Sequence, residues 1–250
     1  MAWTESRALR ICLGLLLCMI AGCATAPGRT RSDDPWQGFN RGVYKFNDTL
    51  DRAALKPVAK GYQRVLPGWM RSGIRNFLNN LDSTTTIVNQ LLQGKPLLAA
   101  KDTGRLLLNL TVGLGGFIDV ASRAGIEYHE EDFGQTLAVW GIPSGPFLEL
   151  PFLGPSSLRD APSRAVDYFT HPAYYADLKW QEQAGLFALQ AIDTRAGLLS
   201  ADQTLQNAFD PYGFTRDAWV QRREYQIFDG NPPEEPLIDE SGVDEESEKK

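Results

Sequence analysis

The sequence predicts an all-α body, and three observations carry that prediction. Apolar side chains recur at three- and four-residue steps in one segment after another, strand-like alternation is nearly absent, and prolines and glycines punctuate the periodic runs. The first run opens at Asp34-Pro35, a carboxylate in the N-cap position followed by a proline whose fixed φ suits the first helical turn. Trp36, Phe39, Val43, Phe46 and Leu50 follow at spacings of three, four, three and four, which lays large apolar groups along one face. Asn40, Arg41, Asn47, Asp48 and Asp51 fall elsewhere on that helix. Pro57 breaks or kinks the run, and Pro67-Gly68 ends it.

A second helix is expected from Trp69 to Leu81, with Ile74, Phe77, Leu78 and Leu81 apolar. A third runs through Ile87, Val88, Leu91 and Leu92 to Gly94, a C-cap glycine ahead of Pro96. Residues 97–118 form the most hydrophobic stretch after residue 22, but Lys101, Asp102 and Arg105 interrupt it. The thirteen uncharged residues from Leu106 to Ile118 fall short of the roughly 20 that span a bilayer, so a buried or interfacial helix is expected, ending at Gly113, Gly115 and Gly116. From Glu131 to Asp160 proline and glycine crowd beside Phe and Leu, which predicts a structured loop or short hairpin near 141–155. Helix returns over 162–170 and from about Ala176 to Leu199; Ser200 with Gln203 has the spacing of a capping box, and a last helix starts near Asp210-Pro211.

Ahead of this body, Arg7 and Arg10 precede the apolar run Ile11–Ile20 and the small residues Ala21-Gly22, the layout of a secretory signal. Ile20-Ala21-Gly22-Cys23 resembles a bacterial lipobox, in which the cysteine is acylated and becomes the new N-terminus. Cys12 and Cys18 lie inside the removed segment, so Cys23 is left without a disulfide partner, as a lipidation site would be. Several acyl chains give a stable anchor where one is marginal. Ala24, in place of Asp, implies sorting to the outer membrane. Four segments are therefore expected: a signal peptide over 1–22, a tether from the lipidated cysteine over 23–34, a helical domain over 35–230 and a disordered acidic tail over 231–250.

The chain carries 31 acidic and 25 basic residues; eight of those acids and two lysines lie in 231–250, so the remainder balances at 23 of each. A body with no basic excess makes nucleic acid an improbable partner. Catalytic signals are weak. Val112-Gly-Leu-Gly-Gly116 lacks the strand and third glycine of a dinucleotide loop. His129-Glu130-Glu131-Asp132 has metal-binding chemistry, but His171 is the sole other histidine, so no metal or other cofactor is expected. Ser144, Ser156 and Ser157 do not sit in a nucleophile elbow, and enzymatic activity is not expected. Amphipathic helices behind a lipid anchor point instead to an interfacial role.

Several ordered blocks carry a specific likeness. Asp34-Pro-Trp-Gln-Gly-Phe-Asn-Arg41, Phe46-Asn-Asp-Thr-Leu50, Asn76-Phe-Leu-Asn-Asn-Leu81, Val88-Asn-Gln-Leu-Leu-Gln-Gly-Lys95 and Gly113-Leu-Gly-Gly-Phe-Ile-Asp-Val120 resemble the MlaA (VacJ) lipoprotein family. So do Glu131-Asp-Phe-Gly-Gln-Thr-Leu137, Trp140-Gly141, Ser144-Gly-Pro146 and Gly154-Pro-Ser-Ser-Leu-Arg-Asp160; Asp82-Ser-Thr-Thr-Thr86 departs from it at a turn. The resemblance implies a ring-shaped, all-helical body in the inner leaflet of the outer membrane, anchored on the periplasmic side. Its amphipathic channel would remove phospholipids from the outer leaflet and pass them to a soluble periplasmic carrier protein, in complex with a trimeric porin. Channel or gate candidates are Gly113, Gly115, Gly116, Asp132, Phe133, Gln135, Trp140, Gly141, Gly145 and Pro146. Membrane-facing candidates are Trp36, Phe39, Val43, Phe46 and Leu50. A porin-associated scaffold and an anchored phospholipase are the alternatives.

Overall fold

A computed structural model of the chain describes residues 34–233. The signal segment, Cys23, most of the tether and most of the acidic tail lie outside the described residues. Helix α1 spans Gln37–Leu50. Asp34 caps the turn before it, accepting the Trp36 N–H at 3.2 Å on its carboxylate and the Gln37 N–H at 3.1 Å on its carbonyl, so the helix begins two residues later than Pro35 suggests. The chain does not break ahead of Pro57. A π-helical turn over Asp51–Leu55, in which the Lys56 N–H reaches back to the Asp51 carbonyl, leads into α2 (Lys56–Val65) with Pro57 in its first turn, where a missing N–H costs least.

Helix α3 is continuous over the 25 residues Gly68–Leu92, which corrects the expectation of two helices separated at Asp82–Thr86. Ser, Thr and Asp favour turns in isolation, yet Ser83, Thr85 and Thr86 are buried here, and the Ser83 hydroxyl donates to the Asn79 carbonyl at 2.8 Å. Tertiary packing overrides propensity. Gly94, at φ 75°, ends the helix as expected, and α4 follows over Pro96–Thr111. Asp119 caps the short α5 (Val120–Arg123) by accepting the Ser122 N–H. The segment expected to be loop or hairpin first forms α6 (Phe133–Val139), capped by Asp132, which accepts the Gln135 N–H at 2.9 Å. The hairpin then appears, with β1 (Phe147–Leu150) antiparallel to β2 (Gly154–Ser157) and Phe147 opposite Ser157.

Helices α7 (Asp160–Thr170), the one-turn α8 (Pro172–Tyr175) and α9 (Trp180–Leu198) come next. The capping box expected at Ser200 and Gln203 does not form: a 3-10 turn over Leu199–Ala201 runs directly into α10 (Asp202–Asn207), with Ala201 in the cap position. Helix α11 (Pro211–Ile227) closes the domain.

Helices α3 and α4 pack as a hairpin, α9 lies across α2 and α3, and α6 is held between α7 and α11. What these contacts bury is unusual. Among the described residues seven apolar or aromatic side chains are buried, mostly alanines, against twenty-one polar or charged ones. The largest fully buried side chains are Gln90, Gln135, Asn40, Asn89 and Asn109. Large apolar residues are exposed instead, and globular proteins do not leave so many outside without something to cover them. No helix of the described residues is long and apolar enough to cross a membrane.

Candidate functional site: an outward apolar surface and a cavity of mixed lining

Helix α1 shows the inversion most simply. Its aromatic stripe faces outward, with Trp36, Phe39, Phe46 and Leu50 exposed and Val43 half-buried. Asn40 and Asn47 face inward, one heptad apart. The Asn40 amide donates to the Phe147 carbonyl at 3.0 Å and accepts the Glu149 N–H at 2.9 Å. Asn47 donates to Glu149 Oε1 at 2.9 Å and the Leu150 carbonyl at 3.0 Å, and accepts the Phe152 N–H at 2.9 Å. Two neutral side chains thus hold both ends of β1 and the hairpin tip. At that tip Phe152 and Leu153 are exposed, and the Phe152 ring meets Phe46 edge-on at 5.2 Å.

The same division holds on α4. Leu97, Leu107 and Leu110 point outward, Leu97 with 80% of its surface exposed, whereas Asp102, Arg105 and Asn109 are buried. Asn109 Oδ1 accepts the N–H groups of Val120 and Ala121, both at 2.9 Å, and Arg105 reaches Asp119 at 2.6 Å. Burial pushes the Asp119 carboxyl up, but bonds from Ser122, Arg105 and Asn109 outweigh it and hold the group below the usual carboxylate range.

The three glycines after α4 do different things. A Cβ on Gly113 would lie 2.2 Å from the Ile118 carbonyl oxygen, so the backbone passes too close for any side chain. Gly116, at φ 89°, abuts Asn80, whose amide donates to its carbonyl at 3.1 Å. Gly115 has φ 69° and open space where a side chain would go.

Charges fasten α6, α7 and α11. Arg223 grips both oxygens of Asp132, at 2.6 and 2.7 Å, and reaches Asp160 at 3.0 Å; Arg159 holds the other side of Asp160 at 2.8 Å. Burial alone would raise both aspartates, but the guanidinium groups outweigh it, leaving their carboxyls below the usual range and Arg223 above its own. Gly134 has a reason here, since a Cβ would stand 2.3 Å from Arg223 Nη2. Gln135 is buried and donates to the Glu130 carbonyl at 3.0 Å. Phe133 packs edge-on against Trp140, whose indole N–H reaches the Leu92 carbonyl at 3.1 Å. Gly141 (φ 88°) and Gly145 (φ 66°) turn the chain into the hairpin, where the Pro146 carbonyl accepts the Leu158 N–H at 3.0 Å.

Between α3, the segment 128–132, α7 and α9 lies a cavity of about 390 Å³. Its wall mixes carboxylates with Arg164, the rings of Tyr128 and Tyr168, and the apolar Leu186 and Phe187. Of the channel and gate candidates only Asp132 is in this wall. The other nine lie at the glycine turn, along α6 or at the base of the hairpin. Sequence reasoning missed Arg164 and Asp167, one turn apart on α7; their spacing was visible, but the facing elements come from distant parts of the chain. Burial, and then the nearby negative Asp132, push the Asp167 carboxyl up to about 6, against hydrogen bonds from the Phe133 N–H and the Asn89 amide. Among the described residues neither histidine is bonded to a hydroxyl. His129 Nδ1 faces buried Asp102 at 3.0 Å, and His171 Nδ1 accepts the Ala173 N–H while Nε2 lies 3.4 Å from Asp82. Among the described residues no group of His, Cys, Asp and Glu is placed to hold a metal ion.

Comparison with known proteins agrees with this geometry. The family profile described as MlaA lipoprotein matches residues 32–226. The chain is 36% identical over 231 residues to the intermembrane phospholipid transport system lipoprotein MlaA of Escherichia coli strain K12, covering 90% of this chain and 91% of that protein. The protein of the same description from Haemophilus influenzae is 35% identical over 223 residues, covering 84% of this chain and 87% of its own. A solved structure described as the structural basis for maintenance of bacterial outer membrane lipid asymmetry superposes with a TM-score of 0.70 at 36% identity, covering 80% of this chain and 100% of that one.

Proposed function

The chain belongs to the MlaA lipoprotein family, and from that premise we propose that it is an outer-membrane lipoprotein that removes phospholipids from the outer leaflet and passes them to a soluble periplasmic carrier. The observation that carries this reading is the inversion: buried amides and ions inside, aromatic and aliphatic side chains outside. Such a surface is stable where acyl chains cover it, and each large apolar side chain left in water instead forgoes about 1.5–3 kcal/mol. Cys23 anchors the chain on the periplasmic side, and the helices lie in the inner leaflet with α1 and α4 against lipid. They form a ring around the cavity. A phospholipid then moves with its tails along apolar surface and its headgroup through polar surface, since stranding either costs several kcal/mol.

The segment from Trp140 to Pro155 acts as the gate, with the glycines at 113–116 as its hinge. Gly115 takes the hinge position in this reading, having open space beside it where Gly113 and Gly116 are packed against neighbours. A trimeric porin holds the assembly in place, and no step in this reading is catalytic. The test is a deletion strain complemented with this chain, with surface-exposed phospholipid measured. The expected result is restoration of the low parental level. Unchanged surface phospholipid, with the protein folded and in the membrane, overturns transport and leaves a scaffold. Cys23→Ala is expected to weaken membrane association without abolishing it; a fully soluble variant would argue against embedding.

A further inference from the structure

We propose that the cavity holds a subsite for a zwitterionic phospholipid headgroup, in which Arg164 takes the phosphate and Asp167 the ammonium. The inference rests on the transport reading above and deepens it by naming the preferred lipid class.

Most charges in the cavity wall are already answered. Asp132 is held by Arg223, Glu131 by Lys95 at 3.1 Å and Glu130 by Arg222 at 3.1 Å. Asp82 faces His171 and accepts from the Gln190 amide at 3.1 Å. Asp167 is the exception among these carboxylates. It makes no ion pair among the described residues, and both of its hydrogen bonds, from the Phe133 N–H at 2.9 Å and the Asn89 amide at 3.1 Å, end on Oδ1. Oδ2 accepts no bond within the described protein, so an ammonium group can take it.

Arg164 is the complementary exception. It lines the same cavity, one helical turn before Asp167, where residues three apart are neighbours on the helix surface. It pairs with no carboxylate among the described residues. Its Nη1 and Nη2 donate to the Leu153 and Pro155 carbonyls at 3.3 and 3.0 Å. A phosphate is a better acceptor than a carbonyl for a guanidinium, since it brings an opposite charge and offers bidentate geometry. An unpaired cation and an unpaired carboxylate, adjacent yet not bonded to each other, match a group carrying phosphate and ammonium together. Leu186 and Phe187, across the cavity on α9, give the first carbons of the lipid an apolar surface. An anionic lipid would satisfy Arg164 alone and place its headgroup beside the open carboxylate.

The experiment titrates the full lipidated protein in detergent, by calorimetry at neutral pH, with dihexanoyl-phosphatidylethanolamine, dihexanoyl-phosphatidylglycerol and free phosphoethanolamine. The ethanolamine lipid is expected to bind on the order of tenfold tighter than the glycerol lipid, the size of a hydrogen-bonded charge contact. Asp167→Asn, which keeps an oxygen for both existing donors, should erase that difference by weakening the ethanolamine lipid alone. Arg164→Gln should weaken both lipids alike, and Arg164→Lys should recover most of the loss. Equal affinity for the two lipids in the unaltered protein, or equal weakening of both by Asp167→Asn, overturns the subsite while leaving lipid passage intact. Phosphoethanolamine binding as tightly as the lipid overturns it too, pointing to a site for small phosphorylated amines. If neither lipid binds, the transport reading through this cavity falls with it.

Discussion

The hairpin Phe147–Ser157 and the junction of α6, α7 and α11 are neighbours, with β2 touching both α7 and α11, yet they are fastened by different chemistry. Asn40, Asn47 and Arg164 hold the hairpin through single hydrogen bonds, mostly to its backbone and with no ion pair among them, each contributing roughly 1–3 kcal/mol net. The junction is held by Arg223 and Arg159 on Asp132 and Asp160. Removing one partner there strands a charge at a cost of roughly 3–5 kcal/mol, so that network is effectively all or none. Separable bonds suit the part proposed above as a gate, and a buried ion network suits a frame beside it.

The strongest way to break this comparison is Arg223→Met. It should destabilise the protein by roughly 3–5 kcal/mol, because Asp132 loses its ion-pair partner and Asp160 one of its two, and a denaturant titration in detergent reads it. A variant as stable as the parent would remove the frame from the argument. Asn40→Leu should cost less, about 2 kcal/mol, and locally, since the Phe147 carbonyl and the Glu149 N–H lose their partner. Hydrogen exchange should quicken at the hairpin amides while α6 stays protected; equal quickening in both would show that they move as one body. Gly115→Val with Gly141→Val places β-branched residues at φ 69° and 88°, at about 1–2 kcal/mol each. Clearance of outer-leaflet phospholipid should slow, and a normal rate ends the gating idea.

The smallest effect is set by pH. The folded-state pKa of Asp167, about 6, stands above the unfolded value near 3.9, so the folded protein binds this proton more tightly than the unfolded chain. Ionisation therefore costs stability above pH 6, and the cost fades as pH falls towards about 4. Asp167→Asn removes it. Melting curves should show the variant more stable than the parent at pH 8, by about 1 kcal/mol once solvent in the cavity is allowed for, with the gain shrinking to nothing near pH 4. A gain independent of pH would mean that the carboxylate is not strained.

The existence of the helices was legible from periodicity; the direction they face was not. A three-four stripe such as Trp36, Phe39, Val43, Phe46, Leu50 reads alike whether protein or lipid covers it. The distinguishing sign lay on the opposite faces, where Asn40, Asn47, Asn80, Asn89, Gln90 and Asn109 stand in place of the Lys and Glu that a solvated face carries. Amides in such numbers belong where every donor must find a protein partner. The continuity of α3 was hidden because Ser83, Thr85 and Thr86 are poor helix formers held by contacts that local sequence does not contain. Helix α6 was hidden by its seven residues among prolines and glycines. The cavity could not be read at all, since α3, α7 and α9 meet there only in the fold.

The π-helical turn over Asp51–Leu55 sets the relation between the two halves of the first long helix. It holds one residue more than an α-helical path would need, and one residue is about 100° of rotation. With it, α1 offers Asn40 and Asn47 to the hairpin while α2 offers Tyr62 and Gln63 to α9, at Asp193 and the Ala196 carbonyl. A chain one residue shorter at this point would keep every helix-forming signal, yet it would swing the asparagines out of reach of the hairpin and bring aromatic rings round in their place. The phase of the exposed apolar face of α1 relative to α2 is thus encoded in a length, one that no substitution at that face itself can restore.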